Sequence, residues 1–326
     1  MNLKESPKKY DVVIVGSGAG GGMAAYTLAK AGAKVALMEA GGDYDPGNPK
    51  YITQLKWPYE SPRRGASIKF RNFGDFDAAW GGWELDGGPY TKKNGTQFDW
   101  FRSRMIGGRT NHWGRISLRF GPDDFRVKTL DGLGEDWPIG YDDVKPYYDK
   151  LDKLVGIFGT NEGLYNDPDG IFLPAPEPRL HELYIKRANK GLGITTIPSR
   201  LSILTKPIND ERGSCFYCGQ CYRGCSAYAD FSSSSVLVKP AVATGNVDVY
   251  TLSMVREVLT DAKTGLATGV NYIDKRDMLD KNIYGSIVIL AASACESARL
   301  LLNSKSGRFS EGLANSSGAV GKYLHD

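Results

Sequence analysis

Three glycines near the N-terminus have the spacing of a loop that holds phosphate groups. Gly16, Gly18 and Gly21 form the pattern G-x-G-x-x-G in the segment GSGAGG. In such a loop the first glycine permits a tight turn, the second lets the backbone approach a pyrophosphate, and the third lets a helix pack closely on a strand. The free N–H groups at the start of that helix attract the phosphates. The pattern therefore indicates dinucleotide binding.

A carboxylate follows at the place where a dinucleotide loop usually recognises ribose. Glu39 comes directly after the apolar segment KVALM, 23 residues beyond Gly16, where its side chain can accept hydrogen bonds from ribose hydroxyls. Residues 10–15 (YDVVIV) are typical of a buried strand, and the following MAAYTLAKAG of a helix that ends at Gly32. A glycine-rich turn without a ligand is the alternative, but it does not require strand, helix, strand and acid in this order.

A second group of reactive side chains lies in the segment SCFYCGQCYRGCSAYAD. Arg212 and Arg223 would offset the charge of ligated sulfurs there, whereas Ser226 stands where ferredoxins usually have proline. Structural disulfides or free thiols are one alternative, and zinc is a weaker one because no two CxxC pairs flank a long loop. Cys295 is predicted to be a small buried apolar side chain. The spacing C-x2-C-x2-C-x3-C is that of ferredoxin-type iron–sulfur ligands, and the predicted ligands are Cys215, Cys218, Cys221 and Cys225.

The composition is that of an ordinary globular chain. Of 326 residues, 41% are hydrophobic and 24% are charged, and no apolar run approaches the roughly 18 residues of a membrane span. The net charge of +4 is small and spread along the chain, which argues against nucleic-acid binding. No signal peptide is visible at the N-terminus. The predicted location is the cytoplasm, with the periplasm as the alternative if a signal-bearing partner carries the protein across the membrane.

Four later segments of the sequence, together with the glycine loop, resemble segments of a known protein family. They are MIGGRTNHWGRISLRF (105–120), DWPIGYDDVKPYYDKLDKLVGIFG (136–159), NVDVYTLSMVREVLTDAKTGLATGVNYID (246–274) and SIVILAASACESARLLLNS (286–304). With the glycine loop, they resemble the glucose–methanol–choline (GMC) oxidoreductase family over nearly the whole chain. The resemblance implies that the dinucleotide is FAD. It also implies an activity, the oxidation of the CH–OH group of a sugar or alcohol by hydride transfer to flavin N5.

The resemblance also implies which residues contact FAD. Val255 would meet the adenine end, and Ala292 belongs to the segment that returns to the flavin, where the family usually has glycine in place of Ser293. In the segment TNHW, His112 is similar to a histidine that bonds covalently to the flavin in some sugar oxidases; the alternative is a histidine that packs and hydrogen-bonds near FAD. The full set predicted to contact FAD is Gly16, Gly18, Gly21, Glu39, Gly107, Gly108, Thr110, Asn111, His112, Val255 and Ala292.

The predicted fold is α/β, a Rossmann-like FAD-binding domain with a parallel sheet, joined to part of an α+β substrate-side region. Residues 1–45 open the FAD-binding domain as its first βαβ, and residues 46–135 supply loops and a flavin-contacting segment. Residues 136–240 form an inserted substrate-side region with the cysteines, and residues 241–326 return to the FAD-binding domain. The spacing predicts a helix over 141–155 and places His181 on the surface of an amphipathic helix.

The catalytic residues are not identified by the sequence. In the family the base is a histidine late in the chain, paired with a second histidine or an asparagine, and none of His112, His181 and His325 matches that position. A general base must lie within hydrogen-bond reach of the proton that it takes. We therefore expect the C-terminal substrate domain to be absent, the chain to be a truncated part of a longer enzyme, and the chain alone to bind FAD without turnover.

Two hypotheses of function follow. The first is a flavin dehydrogenase that oxidises a sugar or alcohol and passes electrons through an iron–sulfur cluster to a cytochrome or quinone, with a possible small subunit as partner. The second is a noncatalytic FAD-binding fragment or subunit with structural cysteines. An NAD-dependent dehydrogenase is disfavoured, because the later segments resemble flavin-binding ones.

Overall fold

The computed structural model describes residues 9–48, 91, 94–95, 103–219, 221 and 224–324. His325, Arg223 and most of the predicted loop segment lie outside the described residues. The strands are β1 (Lys9–Val15), β2 (Val35–Met38), β3 (Val247–Tyr250), β4 (Ser253–Thr260), β5 (Ala267–Asp274) and β6 (Leu279–Leu290). The helices are α1 (Ala19–Lys30), α2 (Val127–Asp131), α3 (Tyr141–Val155), α4 (Leu180–Gly191), α5 (Lys239–Ala243) and α6 (Ala294–Asn303).

The chain forms two compact units. The first is made of the described parts of Met1–His112, Tyr222–Gly224 and Ser232–Asp326, and the second of Trp113–Cys221 and Cys225–Phe231. All six strands belong to the first unit. In the described part of the chain, no helix is both long and apolar enough to cross a bilayer.

One sheet organises the first unit, with the strand order β3-β2-β1-β6-β5-β4. Strand β1 is parallel to β2 and β6, and β2 is parallel to β3. The α/β prediction is confirmed, and the parallel pairing holds for these four strands. Strands β4, β5 and β6 instead pair antiparallel. They are joined by short turns, which suit antiparallel neighbours, whereas a parallel pair needs a long crossover.

The central strands are buried on both faces, as expected for a sheet that is covered by helices. On one face Val12 and Ile14 of β1 pack with Ala25 and Ala29 of α1. On the other face Val13 and its neighbours pack with residues of β5, β6 and α6. The small residues on the buried side of α1 let the helix approach β1 closely, so the loop between the two elements is short and firmly placed.

Buried arginines hold the second unit together. The predicted helix over 141–155 is confirmed as α3, and Arg119 pairs with Asp149 and Asp152 on its inner side. Arg212 donates to the carbonyl oxygen of Val155 at the end of α3, over 2.7 Å, and the charge of Cys225 also acts on it, in line with the predicted role of Arg212 beside the sulfurs. Burial lowers the pKa of its guanidinium to about 10.

Helix α4 of the second unit is exposed along its whole length in the described structure. None of its residues is buried, and His181 lies on its surface as predicted. Cys295, at the start of α6, is half-buried and thus more exposed than the buried apolar side chain that the sequence predicts. It lies in the first turn of the helix, beside Glu296, which faces a cavity.

Candidate functional site

Three parallel strands end at the same edge of the sheet. In the register, Val15 at the end of β1 lies opposite Met38 of β2 on one side and Leu290 of β6 on the other. Each strand is followed at once by a predicted cofactor segment. The glycine loop therefore meets Glu39 and residues 291–293 at one place, which is where ligands bind in open α/β sheets.

A cavity of about 620 Å³ opens at this edge. Besides the glycine loop, its wall includes the start of β4 and one side of α6. Seven of the eleven residues predicted to contact FAD line it, namely Gly16, Gly18, Glu39, Gly108, Thr110, Val255 and Ala292. The other four, Gly21, Gly107, Asn111 and His112, lie behind the wall.

The three glycines of the loop differ in how much space surrounds the position of a Cβ atom. Gly16 has φ +99°, and a Cβ there would lie 2.4 Å from the carbonyl oxygen of Ala291. A Cβ on Gly21 would lie 1.8 Å from the carbonyl oxygen of Gly16. At Gly18, by contrast, no described atom lies within 4 Å of that position. Gly16 and Gly21 thus permit contacts of backbone with backbone, and Gly18 leaves the loop open to a ligand.

Glu39 is a buried carboxylate that faces the cavity. Its side chain accepts hydrogen bonds from Ser17 Oγ at 2.5 Å and from the Gly41 amide at 2.9 Å. Burial raises the pKa of this carboxyl above 4.5, although these hydrogen bonds act in the opposite direction. The Ser17 amide is a third donor, at 3.3 Å, and since a carboxylate has about four acceptor positions, Glu39 has room for at most one ribose hydroxyl.

Three of the four predicted residues that do not line the cavity, Gly107, Asn111 and His112, form hydrogen bonds behind its wall. The Gly107 amide donates to Ser17 Oγ at 3.0 Å, and Asn111 Nδ2 donates to the carbonyl oxygen of Ile106 at 2.8 Å. His112 is 4% exposed, and its Nε2 is hydrogen-bonded to the hydroxyl of Ser103. Its covalent bond to flavin stays a prediction.

Charged side chains that sequence reasoning missed also line the cavity. Glu296 on α6 forms ion pairs with Arg299, at 3.0 Å, and with Arg104, at 3.9 Å. All three line the cavity, and Arg109 does so too. The i, i+3 spacing of Glu296 and Arg299 was a usable signal for a pair on one helix face. This excess of arginine suits an anionic ligand such as a diphosphate.

Ser293 adopts a backbone conformation that is normally confined to glycine. Its angles are φ 74° and ψ 167°, a combination that costs a residue with a Cβ about 1–3 kcal/mol. It lies on the cavity wall directly before α6. Ser293, where the resemblance leads us to expect glycine, therefore brings strain to the cavity wall.

The four clustered cysteines belong to the second unit, and all are free thiols. Among the described residues, no three His, Cys, Asp or Glu side chains converge to hold a metal. Burial, followed by the charge of Asp230, raises the pKa of Cys221 to about 11 and also raises that of Cys225. Arg115 is buried beside them, and it donates to Asp230 and to the carbonyl oxygen of Cys221.

We predict that acidification weakens FAD binding through Glu39. Above its raised pKa the carboxylate is ionised and accepts a ribose hydroxyl, whereas below that pKa it carries a proton and the affinity falls. The Glu39→Gln variant should bind FAD about tenfold or more weakly at neutral pH, with no further loss over the acidic range. Titration of flavin fluorescence at several pH values measures both effects. A parallel acid response in the two proteins would refute this role of Glu39.

Glu39 should also affect the pH dependence of the free energy of unfolding of the ligand-free protein. Here acidification should stabilise the protein, whereas it weakens FAD binding. Because the folded pKa of Glu39 lies above 4.5, its burial costs least when the carboxyl is protonated. Its contribution to stability is therefore greatest below 4.5 and is lost as the pH rises through the folded value.

We predict that Ser293→Gly stabilises the protein by about 1 kcal/mol, because glycine adopts this backbone conformation without strain. Ser293→Ala is the matched control, since it removes the hydroxyl but keeps the Cβ, and it should give no gain. Urea unfolding of the three proteins gives the comparison. A glycine variant less stable than the alanine variant contradicts the prediction.

Two models of known protein families match separate parts of the chain. An FAD binding domain model matches residues 11–44, and a GMC oxidoreductase model matches residues 198–326. The first match contains the glycine loop and Glu39. The second contains the cysteines, β3 to β6 and α6.

Curated relatives align along almost the full chain. 2-Methyl-1,2-propanediol dehydrogenase of Mycolicibacterium austroafricanum is 32% identical over 99% of this chain and 56% of that protein. The fructose dehydrogenase large subunit of Gluconobacter japonicus is 27% identical over 97% of this chain and 58% of its own length. The chain thus spans about half the length of the curated relatives that it matches.

A solved structure supports the fold. Pyridoxine 4-oxidase from Mesorbium loti superposes with a TM-score of 0.56 at 20% identity, covering 91% of this chain and 52% of that one. Two family models, relatives aligned end to end along the chain and a matching fold agree with one another. The chain therefore carries an FAD binding domain match at residues 11–44 and a GMC oxidoreductase domain at residues 198–326.

Proposed function

We propose that this chain binds FAD and forms the flavin-binding part of an oxidoreductase that acts on the CH–OH group of an alcohol or a sugar. The observation that carries the proposal is the cavity at which the glycine loop, Glu39 and the start of β4 meet. When bound, FAD supplies the hydride acceptor that this oxidation needs.

The charges around the cavity support a dinucleotide with a diphosphate. Helices α1 and α6 both begin on its wall, and the N-terminus of a helix favours an anion. Arg104, Arg109 and Arg299 add positive charge on the same wall. Glu39 would hold the ribose, and the backbone at Val255 would face the adenine. The family match to an FAD binding domain over residues 11–44 favours FAD over NAD.

The names of the relatives support the substrate class. They include a dehydrogenase of a diol and the large subunit of a dehydrogenase of fructose. By analogy we propose an alcohol or sugar as the hydride donor. The term large subunit also supports a small partner subunit. A cytochrome or quinone as the final acceptor stays a prediction.

The test of this proposal has two parts. Incubation of the 326-residue chain with FAD, followed by gel filtration, should leave a flavin spectrum on the protein. The holoenzyme from its natural source should lose its flavin absorption anaerobically when mixed with one of a panel of diols, primary alcohols and sugars. The chain alone is expected not to do so, because no described histidine lines the cavity. A chain that takes up no FAD contradicts the first part.

A holoenzyme whose flavin is reduced by light but by none of these substrates contradicts the second part. It would favour the noncatalytic alternative, in which the cysteines are structural.

An iron–sulfur cluster at the four cysteines stays a prediction that rests on their spacing. The described geometry lacks a converged set of ligands, and no step proposed for the reaction depends on such a cluster. The prediction is that protein prepared without oxygen contains iron and acid-labile sulfide, and that Cys218→Ser loses both. Cys295→Ser, which changes the one cysteine outside the motif, is the control and should lose neither. Iron-free protein with four titratable thiols in this segment would favour structural cysteines.

A further inference from the structure

Four consecutive serines, Ser232–Ser235, form a buried tract in the first unit. Each is 9% exposed or less, and Ser233 is fully buried. None of them lines the cavity. Burial of a hydroxyl is costly unless it is hydrogen-bonded, so four adjacent serines in the interior require partners. The tract leads into a π-helical turn, Ser234–Val238, a rare conformation that is frequent at functional sites.

The partners of Ser233 are the residues of the phosphate loop. Its single O–H is shared between the carbonyl oxygens of Ser17, at 2.8 Å, and of Gly18, at 3.0 Å. The fit is close, because a Cβ on Gly22 would lie 1.9 Å from Ser233 Oγ. The absence of a side chain at Gly22 is what lets the hydroxyl reach the loop.

The Ser233 hydroxyl sets the direction of the Ser17 carbonyl, and it holds the Gly18 carbonyl together with the Gly22 amide, which donates to the same oxygen at 2.8 Å. In a trans peptide the N–H points opposite to the C=O of the same peptide unit. When Ser233 holds the carbonyl groups of Ser17 and Gly18, the N–H groups of Gly18 and Ala19 point away from it. Both of those residues line the cavity. They are the amides that a helix N-terminus offers to a phosphate.

The rest of the tract connects to the second glycine segment. The Ser233 amide donates to Thr110 Oγ1 at 2.8 Å, and that hydroxyl donates to the carbonyl oxygen of Gly107. Ser234 Oγ donates to Asn111 Oδ1 at 2.7 Å. The serine tract therefore fastens the two glycine segments of the cavity to each other from behind.

We propose that Ser233 is a positioning residue for the diphosphate of the cofactor. By holding the carbonyl groups of the phosphate loop on the side away from the cavity, it keeps the loop amides directed at the ligand. The inference rests on the proposed function, because it assumes that a diphosphate occupies the cavity.

The test compares ligands with and without a diphosphate. Ser233→Ala should raise the Kd for FAD and for ADP by about three- to tenfold, as expected for the loss of one or two neutral hydrogen bonds. The Kd for adenosine should not change, since adenosine lacks the diphosphate. Calorimetry with FAD, ADP and adenosine measures all three. A merely structural role would affect the three ligands alike.

Ser232→Ala is the matched control. Ser232 is also buried, at 2% exposed, but its Oγ bonds to the hydroxyls of Ser234 and Ser235 within the tract. The variant should lose stability to a similar degree as Ser233→Ala, yet keep the wild-type Kd for FAD and ADP. Thermal unfolding of the ligand-free proteins gives the stability comparison.

Gly22→Ala provides a second test that keeps Ser233 in place. Its methyl group would displace the hydroxyl, so the variant should also bind FAD and ADP more weakly and leave adenosine unaffected. In the double variant Gly22→Ala/Ser233→Ala the methyl occupies the space that the hydroxyl leaves. The double variant should therefore bind no more weakly than Ser233→Ala alone, a non-additive result.

Different results would contradict the proposed FAD binding and the proposed role of Ser233. If the unaltered chain takes up no FAD, the proposed function fails and the role of Ser233 fails with it. If the unaltered chain binds FAD and both Ser233→Ala and Gly22→Ala bind FAD and ADP equally well, only the role of Ser233 is overturned. Equal losses for ADP and adenosine overturn it too.

Discussion

The close approach of backbone to backbone around Gly16 is the constraint on which the cavity depends. The Gly16 amide donates to Met38 at the end of β2 over 2.8 Å, and the Ala291 amide donates to Val15 over 2.8 Å. The strand ends are thereby drawn together so tightly that no side chain fits between them. The cavity exists because the chain has glycine at these contacts, and its position is fixed by the register of three parallel strands.

A network of hydrogen bonds between polar groups behind the cavity wall further fixes the position of the loop. Ser17 is its centre, since its hydroxyl receives the Gly107 amide and donates to Glu39, while its carbonyl oxygen receives Ser233. In a buried network each group satisfies another, and the removal of one leaves its partners without a hydrogen bond. A rigid wall of this kind can present amides and a carboxylate to a ligand without first reorganising.

Sequence reasoning found the parts of this arrangement that repeat a known spacing. The loop of Gly16, Gly18 and Gly21, the position of Glu39 and the helix over 141–155 followed from periodicity and from the order of the elements. The antiparallel half of the sheet was missed, because β-branched runs do not reveal the direction of the neighbouring strand. The serine tract was missed because its role depends on a contact between residues 216 positions apart. No local pattern carries that information.

The 216 positions between Ser17 and Ser233 affect how the protein folds. Between the phosphate loop and the residue that fastens it from behind lies the whole of the second unit in the sequence. The entropy of closing so long a loop grows only slowly with its length, so the insertion adds little to the equilibrium cost of the contact. Contacts distant in sequence nevertheless slow folding. The nascent βαβ segment emerges from the ribosome long before Ser233, so the cradle for the nucleotide is completed only after the second unit has been synthesised.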